Sequence, residues 1–422
     1  VRWLGLIFLS IISFIFLVSC QYDQTEEVIE SVPEELQLSL MINVYGKEAE
    51  IIEKVASDYS VINPNIQIDV MAPGGAYENI MKIKLSSGDV PDLFSTHGWS
   101  VTRYADYLVN LNEKDWITNI RNEFRPFIED KEGQIYVLPF NMDMTGIVYN
   151  KGIFEAYNLK EPQTYDELLE TCEILTRESN GTILPFISAK DVWCEAQFFD
   201  FFAIPLLIDT PHHDYSDEFM KGNFDWSKWN WLAEEWQQIY NMGYVNKNML
   251  SCNYNDNIKS FANGEAAMAF YGPYFMQDVE SLNSEIELAM MPIPTIYEGG
   301  HLTLATGERS TLGVYKESIY KEEALELLDY FAEPENIAQI CEASRLPSAF
   351  KGINSYEDFY MKENIKLYPY FDRAYLPDGM WYIMCSNSAG LVSGDLSVED
   401  VSKIMEQEYK RLRSTKKGAE SK

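Results

Sequence analysis

Apolar positions along the chain fall into short strand-like runs separated by stretches of helical periodicity. Leu36 to Val44 is a run long enough for a buried strand, and Glu48 to Tyr59 repeats its apolar residues at helical spacing. Asn63-Pro64-Asn65 breaks that helix, after which Ile66, Ile68 and Val70 alternate as a second strand. A further helix is predicted from about Tyr77 to Ser86, and Ser87-Gly88-Asp89-Val90-Pro91-Asp92 leads into a strand from Leu93 to Thr96. Strand, helix, strand alternation of this kind favours a parallel sheet wrapped by helices. The stretch Phe261 to Phe275 is the most informative. Gly264 ends a helix in the left-handed conformation, Ala266 to Phe270 reads as a buried strand, and Gly272-Pro273 turns the chain. Pro273 is placed to open a new helix, leaving Tyr274 at the carboxyl end of the strand, where open α/β sheets bind ligands.

Arg2 precedes an uninterrupted apolar run, Trp3 to Leu17, followed by small residues and a polar, acidic segment. The run is short for a spanning helix and has the layout of a secretory signal peptide. Leu17-Val18-Ser19-Cys20 is similar to the lipobox of bacterial lipoproteins. Residues 1–19 are therefore expected to be a signal peptide, Cys20 the lipidated residue, and 20–35 a tether to the membrane.

Length and charge narrow the function. At roughly 150 residues per domain, 422 residues suggest two or three lobes. A net charge of -33 argues against nucleic acid, because phosphate binding needs cationic patches. Aromatic content of 14% supplies flat amphipathic rings of the sort that sugar recognition uses, although most of them are expected in the core. The cysteines after Cys20 show no CxxC spacing, and Cys172 shares a helical face with Leu168 and Leu175, so it reads as a buried filler. There is no HExxH, GxSxG or Walker-type motif, no complete EF-hand loop, and no carboxylate pair that stands out. Neither a cofactor nor a metal is expected, and the chain reads as a binder rather than an enzyme.

Several segments resemble a known family. Asn63-Pro64-Asn65-Ile66, Lys84 through Phe94, Gly133 through Pro139, Ile147 through Phe154 and Pro162 through Leu168 follow one another in an order similar to the family 1 extracellular solute-binding proteins of bacterial ABC importers, which include the maltose- and oligosaccharide-binding proteins. Phe261 to Met268 with Gly272-Pro273-Tyr274, Met291-Pro292-Ile293-Pro294 and Arg345-Leu346-Pro347 continue the series. The resemblance implies an α/β, periplasmic-binding-protein-like type II fold: two α/β lobes with central sheets joined by hinge crossings. Lobes of 36–143 plus 293–345 and 144–292 plus 346–422 are expected, with crossings near Asp143 to Gly146, Met291 to Pro294 and Arg345 to Ala349.

It also implies a carbohydrate held between the lobes by aromatic faces and by groups that take hydroxyls. Candidate stacking residues are Tyr45, Trp99, Trp193, Tyr274 and Trp381. Asn141, Asp143, Glu195, Glu308 and Arg309 are the candidate polar contacts. Only Lys47, Arg103 and Arg309 suggest themselves as converging cations, which favours a neutral sugar over a uronic acid. The implied partners are a carbohydrate, the permease subunits of an importer, and the membrane through the lipid anchor, with the protein itself a monomer outside the cytoplasm. A ligand sensor that signals without transport, or an extracellular polysaccharide-active enzyme, remain open alternatives.

Overall fold

The computed structural model describes residues 35–353 and 364–420, and the side chains among them except those of 192, 193 and 415–420. The expected signal peptide, Cys20 and the tether up to residue 34 lie outside the described residues.

The strands form two sheets. The first takes β1 (Leu36–Met41), β2 (Ile66–Met71), β3 (Leu93–Phe94), β4 (Leu138–Pro139) and β10 (Thr311–Val314), in the order β2-β1-β3-β10-β4. The second takes β5 (Met142–Asn150), β6 (Leu184–Phe186), β7 (Ala266–Tyr271), β8 (Leu288–Met291), β9 (Leu302–Glu308) and β11 (Ile365–Pro369). Its order is β11-β9-β5-β7-β6, with β8 pairing β5 beyond the end of β9. The expected parallel pairing holds for β1 with β3. β10 is antiparallel to both of its neighbours. It reaches the first sheet from β9 in the second, so its direction is set by that passage and not by a local strand-helix-strand unit.

The chain changes sheets between β4 and β5, at Phe140–Asn141, between β9 and β10, at Arg309–Ser310, and a third time between β10 and β11. Around Met291 to Pro294 it stays with the second sheet: Met291 pairs with Ile147, and Ile293 bridges Thr303. After the helix Pro334–Ser344, Phe350 still bridges Ile120.

Helix Gly46–Ile62 buries Ala49, Ile52, Val55, Ala56 and Tyr59, the stripe its periodicity predicts. Thr164 caps the helix Tyr165–Glu178 by accepting from Glu167 N at 3.2 Å, but Glu167 reaches Gln163 N at 2.6 Å, so the reciprocal bond goes one residue beyond the cap. β5 is buried along its whole length. Gly146 within it is required by close approach, since a Cβ there would stand 2.5 Å from Met291 O on β8. The core beneath the second sheet is aromatic: Phe186 stacks on Phe270 at 4.5 Å, and Trp226, Trp229 and Trp236 are buried among the surrounding helices. Cys172, Cys194, Cys252, Cys341 and Cys385 are buried and not joined in disulfides.

Candidate functional site

β7 ends where helix Pro273–Leu282 begins, with Gly272 at the N-cap and Pro273 at its first position. Tyr274 therefore occupies the first turn of that helix and faces a cavity of about 1170 Å3. Residues from both sheets line it. From the first come Asn43 and Tyr45 after β1, and His97, Trp99 and Arg103 after β3. The second contributes Asp143 and Thr145 on β5, Tyr274 and Asp278 one helical turn apart, and Tyr370, Arg373 and Trp381 beyond β11. Arg309 enters from the passage between β9 and β10.

Arginines and carboxylates alternate around the wall. Arg103 pairs with Glu78 and, at 2.8 Å, with Asp378. Arg309 lies between Glu48 (3.6 Å) and Asp143 (3.8 Å), with its guanidinium carbon 5.2 Å from the centre of the Tyr274 ring. Burial opposes the charge of Arg309, but Asp143 and Glu48 more than offset this and hold its pKa above the ordinary value. Arg373 lies 4.3 Å from the Tyr370 ring centre. It passes so close to Gly98, itself at φ 85°, that any Cβ there would collide with the guanidinium. Tyr370 donates to Asp143 Oδ2 at 2.7 Å, and Tyr254 to Asp278 Oδ2 at 2.7 Å. Burial raises the pKa of Asp278 and lowers that of His97.

Five buried atoms of the cavity-lining residues have no hydrogen-bond partner: Asn43 Oδ1, Glu78 Oε1, Arg103 Nε, Arg309 Nε and Arg373 Nη1. Buried polar atoms are nearly always paired, so two acceptors and three donors left open at one cavity suit a ligand that offers both functions. Hydroxyl groups do so.

Of the residues expected from sequence, Tyr45, Trp99, Asp143, Tyr274, Arg309 and Trp381 come together on the cavity wall. Asn141 does not line it. Its amide donates to Glu48 (2.9 Å) and Ser344 (3.0 Å), tying the β4–β5 passage to neighbouring helices. Glu308 is 1% exposed and accepts from Ser100 N (2.8 Å) and Thr96 Oγ1 (3.0 Å), which fixes the loop after β3 instead of facing the cavity. Glu195 is also off the wall, although Asp191, a turn earlier, lines it. The side chain of Trp193 lies outside the described ones. Sequence reasoning did not find Asn43, Asp278, Tyr370 or Arg373. Asp278 had a usable signal, four residues after Tyr274 on one helix.

Residues 45–338 match the family described as bacterial extracellular solute-binding protein. The chain belongs to this family. Among curated relatives of this solute-binding protein, the melibiose/raffinose/stachyose-binding protein MelE of Bacillus subtilis (strain 168) is 32% identical over 381 residues, covering 89% of each chain. The multiple sugar-binding protein of Streptococcus mutans is 23% identical over 93% of this chain and 96% of the relative. Among solved structures, a sugar transporter protein of Bacillus licheniformis in complex with stachyose superposes with a TM-score of 0.82 at 36% identity, covering 89% of this chain and 100% of the other. A Bacillus subtilis binding protein in an open conformation gives 0.83 at 30% identity, covering 91% and 99%. The neighbours share the two-lobed, type II architecture that the two sheets here represent. The matched span of this solute-binding protein includes Tyr45, Trp99, Asp143, Tyr274 and Arg309, whereas Tyr370, Arg373 and Trp381 fall beyond it.

Proposed function

We propose that this protein is the ligand-capturing component of an ABC importer and that the cavity binds a neutral oligosaccharide of the melibiose, raffinose and stachyose type. The observation that carries the reading is the cavity itself, which combines aromatic rings with open donors and acceptors. Its volume of about 1170 Å3 exceeds the roughly 300–1,000 Å3 typical of pockets for drug-sized ligands, which suits a chain of sugars better than one. MelE, named for melibiose, raffinose and stachyose, and the Bacillus licheniformis complex with stachyose support the choice of sugar. The three cavity arginines have carboxylates or rings beside them, so no concentrated positive field awaits a uronic acid.

In this reading Tyr274 and Trp381 stack on sugar faces, while Asp143, Arg309 and Arg373 take hydroxyls. Ligand touching residues of both sheets shifts the population toward a closed state that the permease recognises. The lobes divide at the β4–β5, β9–β10 and β10–β11 passages, Cys20 carries the lipid, and the protein works as a monomer outside the cell membrane. Among the described residues no helix is long and apolar enough to cross a membrane. Isothermal titration with melibiose, raffinose and stachyose, beside maltotriose and galacturonate oligomers, tests the proposal. Binding of the first group is expected. Heat from galacturonates alone, or from none of the sugars, would sink it.

A further inference from the structure

Glu48 lies in the first turn of helix Gly46–Ile62, is 5% exposed, and does not line the cavity. Its Oε1 accepts from Asn141 Nδ2 at 2.9 Å and from Ser310 Oγ. These two donors sit at two of the three passages between the sheets, and the same Asn141 amide reaches Ser344 at the end of helix Pro334–Ser344. The other oxygen, Oε2, stands 3.6 Å from Arg309 Nε, while Asp143 Oδ2 stands 3.8 Å from Arg309 Nη1. Both separations are too long for hydrogen bonds, and Arg309 Nε is buried without a partner. Coulomb attraction still acts at these distances away from bulk water. Two carboxylates thus balance the guanidinium, one nearest Nε and the other nearest Nη1, while leaving its Nε donor open.

We propose that Glu48 is a positioning residue for ligand binding: from outside the cavity it holds Arg309 beside the Tyr274 ring, charge-balanced and with a donor to spare, and locks that position to the β4–β5 and β9–β10 passages. The inference rests on the reading of the cavity as an oligosaccharide site. If Glu48 served only as a hydrogen-bond acceptor, glutamine would replace it, because the amide oxygen can still accept from Asn141 and Ser310.

The test is Glu48→Gln in the full mature chain, followed first by 15N NMR of the arginine Nε–H groups without sugar. The Arg309 resonance is assigned by its loss in Arg309→Lys. It is expected to shift and exchange faster in Glu48→Gln, with the melting curve still cooperative. Calorimetry with raffinose forms the second arm. Glu48→Gln is expected to weaken binding about tenfold, the scale of one hydrogen bond to a charged group, and to add little in an Arg309→Lys background. An unchanged Arg309 signal, or fully additive losses, would overturn the proposal. A wild-type protein that ignores raffinose would overturn the oligosaccharide reading alone, since the NMR arm still decides what holds Arg309. Should Glu48→Gln fail to fold, Glu48→Asp keeps the charge but withdraws it by one methylene, and the same NMR shift is expected.

Discussion

The guanidinium carbon of Arg103 lies 4.2 Å from the centre of the Trp99 ring, so one face of that indole is already covered. The same arginine reaches Asp378 at 2.8 Å, joining the loop after β3 to the loop beyond β11 on the other side of the cavity. Asp378 is half exposed, so its pair with Arg103 is worth about 0–1 kcal/mol. Asp378→Asn is expected to change raffinose affinity by less than about fivefold, with the difference vanishing at high salt. Arg103→Ala should cost more, because Glu78 and Trp99 both lose a neighbour. Titration of both variants at two ionic strengths checks this, and the opposite ranking would contradict it.

Tyr274 separates ring from hydroxyl. Replacing it with alanine should weaken raffinose binding by at least about tenfold, since stacking adds roughly 0.5–1.5 kcal/mol to the lost ring area. Phe275, which is fully buried, still anchors the helix, so the melting temperature should fall only slightly. Tyr274→Phe keeps the ring and is expected to bind nearly as well as wild type. Equal affinity for wild type and Tyr274→Ala would return the residue to a packing role.

Gly146→Ala probes the fold at a residue that does not itself line the cavity. The new methyl would meet the Met291 carbonyl at 2.5 Å and the Leu304 side chain at 2.9 Å. Overpacking of this kind costs about 1–3 kcal/mol. A lower urea midpoint with an unchanged slope is the expected result.

Glu195 gives the protein a pH dependence. Burial, helped by Asp191, raises its pKa from 4.5 to about 7. Between those values the folded chain binds a proton that the unfolded chain has released, so this group's contribution to stability declines as pH rises from about 4.5 to about 7 and is flat outside that window. Glu195 is only half buried, so solvent screening reduces the effect. Urea titrations at pH 5 and pH 7.5 should show a smaller difference for Glu195→Gln than for wild type; an identical difference would assign the dependence elsewhere.

The parts of the fold that were legible in the sequence are those specified locally. Helix Gly46–Ile62, β2 and the β7–helix junction at Gly272-Pro273 follow from periodicity and turn chemistry. β10 was not legible as an inserted strand, because its neighbours β3 and β4 lie far away in the chain. The site divides the same way. Tyr274 carries a local signature, whereas Arg373 reaches the cavity only because Gly98, distant in sequence, leaves room for it. Asn141 and Glu308 were expected among the polar contacts, yet which way each side chain turned depended on partners, Glu48 and Ser100, that no local pattern reveals.

The insertion of β10 between β3 and β4 bears on how the molecule assembles. During synthesis from the amino terminus, β1, β2 and β3 can pair early, but β4 has no partner in its sheet until residues 311–314 have emerged. β5 likewise gains β7, β8 and β9 only from later segments. A nascent chain halted near residue 150 would therefore expose β4 and β5, both buried along their whole length in the finished fold, as bare edges. Such long-range pairings make folding slow and leave the growing chain dependent on protection until its last third is made.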